Sequence, residues 1–254
     1  MTLIAFGILA LVHFGFWLAL RTGKLDVMDV LWSLGFVLVG ILGYAQNYPT
    51  TPKAILLFIV TLWGLRLGWH IFKRAHGKPE DPRYTAMRAE WGADWKREAY
   101  KKVFLSQGAA LFVVSLPLQL GMSSELERFG AKQMLALLVW AAAFALEVWS
   151  DRHLAKFKAD PANRGLICMS GPWSYVRFPN YLGEITMWWA IYFYIFGFWT
   201  AWTFVGPAAL TYAIVKITGI PPIEARYRDR ADYQAYAARV PRLIPFLRPR
   251  RATV

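Results

Sequence analysis

Residues 181–217 read YLGEITMWWAIYFYIFGFWTAWTFVGPAALTYAIVKI, and Glu184 and Lys216, near the two ends, are their only ionisable groups apart from tyrosines. A helix crosses a bilayer with roughly 20 mostly apolar residues. This run is far too long for one crossing, and Gly197 interrupts it near the middle. The reading is two spans joined by a tight turn. Working outward, Leu3–Leu20 is a first span, and a second starts near Asp26 and runs through Val30–Tyr44. Ala54–Phe72, Val103–Gly121 and Gln133–Trp149 are the third, fourth and fifth. The expected fold is therefore an all-α integral membrane protein with seven transmembrane helices.

Composition agrees. Of 254 residues, 57% are hydrophobic, 17% aromatic and 18% charged. A soluble domain carries about 45–50% apolar and about 25% charged residues. Disorder is excluded, because it needs low hydrophobicity. The single cysteine, Cys168, excludes a disulfide framework. His13, His70, His76 and His153 form no zinc-binding pair of the usual spacing.

The net charge of +13 calls for either nucleic acid or an anionic surface. Its placement decides. With the N-terminus outside, segments 21–26, 73–102, 151–180 and 219–254 face the cytoplasm. They hold 24 of the 29 Lys and Arg residues. The outer loops hold Lys53, Arg128 and Lys132, and only Arg66 and Lys216 lie within spans. This is the positive-inside pattern, with the N-terminus outside and the C-terminus in the cytoplasm. It makes membrane lipid the partner and excludes nucleic acid. The N-terminal run lacks a basic leader and a small-residue cleavage site, so Leu3–Leu20 is expected to stay as a span. There is no internal repeat. One membrane domain, 1–254, is expected: spans one to four (1–121) around a substrate cavity, and 122–254 around a cofactor.

Ionisable groups inside a membrane cost about 2.5–3.5 kcal/mol on insertion scales and usually serve function. Asp29 begins the second span, and Arg66 and His70 sit one turn apart at the cytoplasmic end of the third. The two spans are antiparallel, so these groups share a depth and could meet. They read either as a substrate-polarising cluster or as a helix-locking ion pair. Asp26 reads as an interfacial cap. Glu147 and Asp151 lie one turn apart at the end of the fifth span, and Glu184 lies just inside the sixth. Hydroxyls or amides of a ligand would satisfy them, as would ion pairs with Arg152, Lys156 or Lys158. The connection between those spans is broken repeatedly by Gly and Pro. It carries Lys158, Asn163, Arg164, Tyr175, Arg177 and Asn180. Cations suit phosphate, asparagine suits an amide and carboxylates suit hydroxyls, which together suit a nucleotide. No glycine fingerprint follows a strand, so a Rossmann site is excluded.

Gly171-Pro-Trp-Ser-Tyr175 followed by Arg177-Phe-Pro-Asn-Tyr-Leu-Gly-Glu184 resembles the core motif of the steroid 5-alpha-reductase family, in its bacterial branch. Ser150-Asp151, Asn163-Arg-Gly165 and the stretch from Asp232 through Tyr233 and Tyr236 to Pro245 are similar to the same family. So are Asp29-Val-Leu-Trp32, Trp63-Gly-Leu-Arg66 and Glu80-Asp-Pro-Arg-Tyr84, and the resemblance spans nearly the whole chain. Phe178 stands where many relatives have His. The resemblance implies NADPH as cofactor and a lipophilic conjugated enone, such as a 3-oxo-delta-4 steroid, as substrate. Asn180 and Glu184 would then serve the nicotinamide and ribose, and Glu147 and Asp151 ribose or amide groups. Lys158, Arg164 and Arg177 would hold phosphates beside Asn163 and Tyr175. Glu224, Tyr227 and Arg228 would close over the adenine end. Carbonyl polarisation would fall to Asp29, Arg66, His70 or Tyr84. The branch also implies a bacterial inner membrane with the cofactor site facing the cytoplasm, and a monomer is expected. The Arg-x-Pro-x-Tyr-x-Gly pattern is shared with S-adenosylmethionine-dependent methyltransferases of the isoprenylcysteine carboxyl type, which is the alternative. A non-catalytic sterol or lipid carrier is the third reading.

Overall fold

The computed structural model describes residues 1–245, and every regular element among them is helical. The Arg248–Arg251 cluster lies outside the described residues. Helices α1 (Thr2–Thr22), α2 (Val27–Ala45) and α3 (Thr51–Ala75) contain the first three expected spans. Their ends obey local rules. Gly23 closes α1 in the left-handed conformation at φ 74°, which glycine adopts without a Cβ penalty. Thr50 caps α3, with Pro52 in the first turn, where its missing N–H costs nothing.

The basic segment 73–102 is not a plain loop. It folds into α4 (Pro82–Trp91), capped by the Asp81 carboxylate, and α5 (Trp95–Ala99). A π-helical turn, Tyr100–Leu105, continues into α6 (Ser106–Val114) and then α7 (Leu116–Ser123). The expected fourth span is thus bent by 48° between α6 and α7. Pro117 cannot donate to the preceding turn, which accounts for the bend. The Gln119 amide donates to the Phe112 carbonyl at 2.9 Å and so restores a bond at that break.

Helix α8 (Ala131–Ala159) contains the expected fifth span. The long apolar run divides as its glycine predicts: α9 (Pro179–Ile195) ends just before Gly197. Beyond it the chain is less regular than expected. A 3₁₀ stretch, Phe198–Phe204, leads into α10 (Val205–Tyr212) and a π-helical turn, Ala213–Ile217. The Thr200 hydroxyl donates to the Ile195 carbonyl at 2.8 Å and thereby ties that start. Two short helices, α11 (Ile220–Tyr227) and α12 (Ala231–Arg239), complete the described chain. Among the described residues five helices are long and apolar enough to cross a membrane: α1, α2, α3, α8 and the stretch Phe198–Tyr227. The bent α6–α7 pair makes six, and α9 has 17 residues.

The chain forms two compact units. The first is Met1–Gly130 with Ile195–Gly206, and α2 is its centre, packed by α1, α3 and α7. Helices α2 and α3 approach closely because α3 carries Gly64. A Cβ there would stand 2.8 Å from the Ser33 carbonyl oxygen and 2.6 Å from Val37. Small residues at such crossings let backbones touch, which is how helices gain packing in a membrane. The second unit is Ala131–Tyr194 with the chain from Pro207 onward. Its helices α8 and α9 meet at Gly183, where a Cβ would stand 2.7 Å from the Ala143 carbonyl oxygen. The buried stripe of α8 passes through Trp140, Ala143, Glu147 and Asp151 at helical spacing, so two carboxylates face inward.

Candidate functional site

In the first unit, residues 23–29 and 78–88 are zipped together by polar contacts. The Glu80 carboxylate accepts from the Leu25 N–H at 2.6 Å and from Arg88 at 2.9 Å. Arg88 also donates to the Gly23 carbonyl and lies over the Trp95 ring at 4.1 Å. Asp26 accepts from the Asp81 N–H at 3.1 Å, so its side chain caps a neighbouring segment and makes no cap bond to its own helix. Lys24 donates to the Lys78 carbonyl. This zipper sets the first turn of α4 against the first turn of α2. Tyr84 is buried there, and its hydroxyl donates to Asp29 Oδ1 at 2.6 Å. Arg83 donates to Asp29 Oδ2 at 3.2 Å, and the Gln107 amide donates to the Tyr84 hydroxyl oxygen at 3.3 Å.

Asp29 and Tyr84, two of the four expected polarising residues, are therefore joined directly. Asp29 does not take its hydrogen bonds from Arg66 and His70, the partners expected from depth. Those two stay half-buried on α3 with contacts of their own. Arg83 and Gln107 carried no expected role. Arg83 stood in the quoted 80–84 stretch, whereas Gln107 lies in an apolar run and offered no local signal. Asp81 beside them is held below its ordinary carboxyl value. Burial works to raise it, but hydrogen bonds from the Arg83 side chain and backbone, and the Arg83 charge, outweigh burial.

In the second unit Glu147 and Asp151 are buried on α8, with Glu147 against Gly183. Lys158 lies in the exposed last turn of that helix. Asn163 closes a 3₁₀ turn by donating to the Phe157 carbonyl at 3.0 Å, and Arg164 is exposed beside it. Tyr175 is 66% exposed and free to stack. The 170–174 turn is pinned on α8: His153 and the Ser170 hydroxyl are 2.9 Å apart, and the Trp173 indole donates to the Ser150 carbonyl at 3.4 Å. Asn180 begins α9, and its side-chain oxygen is buried with no partner. Glu184 lies one turn further along the same helix. Exposed cations, inward carboxylates and an orphaned amide oxygen form a donor and acceptor set that fits a dinucleotide.

Arg177 and Glu224, expected at the phosphates and at the adenine end, pair with each other. Arg177 pairs with the Glu224 carboxylate at 3.0 Å and donates to the Tyr233 hydroxyl at 3.2 Å. Glu224 also takes Arg242, at 3.1 Å from Nε and 2.5 Å from Nη2. Glu224 is thus spent on two arginines rather than left for adenine or ribose. The tail is fastened over the loop by backbone as well. The Arg177 N–H donates to the Pro241 carbonyl at 2.9 Å, and the Phe178 N–H to the Arg242 carbonyl at 3.2 Å. The Tyr236 hydroxyl donates to the Trp173 carbonyl at 2.5 Å, and Arg230 to the Gly165 carbonyl at 2.9 Å. Burial pushes the Tyr233 and Tyr236 phenols up, so both stay neutral: Tyr236 donates to the Trp173 carbonyl, and the Tyr233 oxygen accepts from Arg177. Tyr227 packs at 5.6 Å from the Tyr233 ring, and Arg228 is exposed. Sequence reading assigned no role to Arg242, Tyr233 or Tyr236. The tyrosines' spacing of three on a short helix was the available signal.

The family described as "Protein of unknown function (DUF1295)" matches residues 15–240. The chain belongs to that family. The match runs from within α1 to just past the end of α12, so it takes in α2 to α12, the Asp29–Tyr84 cluster, Arg177 and Glu224, and stops short of Arg242. The DUF1295 family is associated with steroid 5-alpha-reductase-like proteins. An uncharacterized protein of Schizosaccharomyces pombe is 25% identical over 253 residues, covering 87% of this chain and 70% of its own length. No solved structure matches.

Proposed function

We propose that this DUF1295 member is a membrane-embedded, NADPH-dependent reductase of the C=C bond in a lipophilic conjugated enone. A 3-oxo-delta-4 steroid or a similar molecule is the substrate class. The observation that carries this reading is the 2.6 Å hydrogen bond between Tyr84 and Asp29, with Gln107 on the phenol oxygen. Reducing a conjugated C=C bond builds negative charge on the carbonyl oxygen. A preorganised donor at that oxygen is worth about 2.7–4 kcal/mol. Tyr84 has the O–H to give. Turning it from Asp29 to a substrate carbonyl leaves the phenol oxygen held by Gln107 and the Asp29 charge balanced by Arg83. Tyr84 is the donor, Asp29 and Gln107 aim it, and the buried setting keeps water from competing.

NADPH, when bound, supplies the hydride. Asn180 and Glu184 would hold its carboxamide and ribose, with Glu147 and Asp151 on further hydroxyl or amide groups. Lys158, Arg164 and Arg177 would hold phosphates, and Asn163 and Tyr175 would frame the loop. Tyr227 and Arg228 would close the adenine end. With α9 as a crossing the span count is seven and the termini lie on opposite faces; in this reading the N-terminus is outside and these cofactor residues are on the cytoplasmic side of a bacterial inner membrane. Positive-inside charge supports that orientation.

The test is thermal unfolding of the detergent-solubilised protein with NADPH, NADH, S-adenosylmethionine or no ligand. Saturation at 100 times Kd stabilises by about 2.7 kcal/mol. A rise with NADPH that disappears in Asn180→Ala/Glu184→Ala is expected, followed by enone-dependent loss of NADPH absorbance. A rise with S-adenosylmethionine alone would replace hydride transfer by methyl transfer. No rise with any of the three would favour a carrier.

A further inference from the structure

Arg177 is the least accessible charge in its cluster: its side chain is 11% exposed, against 21% for Glu224 and 46% for Arg242. A guanidinium at that depth is strongly disfavoured without an anion beside it. Glu224 is that anion. The same carboxylate also takes Arg242 through two nitrogens, so one negative charge serves two guanidinium groups. The cluster is left with a net positive charge and with donors to spare. Arg177 Nε is buried and has no acceptor. The surroundings add to this imbalance. The end of α8 and the loop leading to Arg177 carry Lys156, Lys158 and Arg164 against Asp160, and the tail adds Arg226, Arg228, Arg230 and Arg239 against Asp229 and Asp232.

We propose that the Arg177–Glu224–Arg242 triad is a phosphate seat in which the Glu224 carboxylate holds the place of a phosphate-bearing ligand. The proposal rests on the reductase reading and deepens it, because it gives one phosphate of the dinucleotide a seat and makes Glu224 the group which that phosphate displaces. Two guanidinium groups converging on one acid suit phosphate better than carboxylate, since phosphate brings more oxygens and more charge. Arg242, exposed and on the final described segment, is the arm that swings from Glu224 to the ligand. Arg177, buried and tied by its N–H to Pro241, is the fixed arm. Glu224 then both steadies the ligand-free protein and competes with the ligand. Removing its charge has opposite effects on those two properties, whereas a purely structural clasp would weaken both.

The experiment uses the full chain in detergent, Glu224→Gln and Arg242→Gln, and inorganic pyrophosphate as the probe. Unfolding temperature and calorimetric affinity are read together. Glu224→Gln is expected to unfold at a lower temperature without ligand and to bind pyrophosphate about threefold more tightly or better. Arg242→Gln is expected to keep its fold and bind about threefold more weakly. Equal or weaker pyrophosphate binding by Glu224→Gln overturns the seat. If that variant does not fold, unchanged binding by Arg242→Gln overturns it. NADPH and nanodiscs of phosphatidylglycerol or phosphatidylcholine separate the sources of phosphate. A pyrophosphate response without an NADPH response upholds the seat and removes the reductase reading. NADPH binding that ignores both substitutions does the reverse. A response confined to phosphatidylglycerol and lost in Arg242→Gln upholds the seat for a lipid headgroup.

Discussion

The two polar clusters solve the burial of charge in opposite ways. Around Asp29 a single carboxylate is met by one neutral donor, a buried phenol at 2.6 Å that is itself held by an amide, and by one arginine at the rim. Around Glu224 a single carboxylate is met by two full positive charges. The first arrangement leaves a directional O–H that can be handed to a neutral acceptor. The second leaves excess positive charge that favours an anion. Neutral donors suit carbonyl polarisation, and paired guanidinium groups suit phosphate recognition.

The largest test of that contrast is Tyr84→Phe. It keeps the ring and removes only the O–H. Enone turnover should fall about 100- to 1,000-fold, while the unfolding shift caused by NADPH stays as in the unaltered protein. A parallel loss of NADPH binding would mean that the two clusters do not divide the work. In the second cluster, Glu224→Ala strands a buried guanidinium, so denaturant unfolding should show a loss near ~3 kcal/mol. Arg242→Ala removes the exposed arm of the same clasp, and its cost should stay under about 1 kcal/mol and vanish in high salt. Similar losses for both would show that Glu224 does not owe its stabilising role to Arg177.

The smallest effect concerns Asp81, at the edge of the first cluster. Its carboxyl is held below the ordinary value of 3.8. A depressed folded value means that the ionised form stabilises the fold above that pH, and that this contribution is lost as pH falls through the folded value. Asp81→Asn keeps a good helix cap and removes the charge. The stability gap between the two proteins should be about 0.2–1 kcal/mol and flat from about pH 5 to 7, and should close as the solution is acidified below about pH 4. A gap that widens on acidification would mean that the Asp81 charge destabilises the fold.

Much of the architecture could be read directly. Long apolar runs can only be helices in a bilayer, so α1, α2, α3 and α8 sit where hydropathy puts them, and Gly197 separates α9 from the 3₁₀ stretch beyond it. The bend at Pro117 was hidden because composition reports how apolar a run is, not whether it is straight. The helices within 73–102 were hidden because their amphipathic pattern is short and strongly charged. Depth arguments placed Asp29, Arg66 and His70 at one level, but a level does not say which neighbour reaches a carboxylate first. Tyr84 reaches it because the Glu80 and Asp26 contacts pull α4 onto the start of α2.

By itself the sequence determined the helical class, the positions of the long apolar helices, the segments in which positive charge accumulates, and the residue types gathered in the 147–184 stretch. Each of these comes from local composition and period, which need no knowledge of distant neighbours. Only the tertiary structure decided who pairs with whom. Asp29 goes to Tyr84 across 55 residues, and the Arg177 side chain is close to that of Tyr233 across 56. A carboxylate or a guanidinium accepts any suitable partner that packing brings within about 3 Å, and that choice is made by the whole fold.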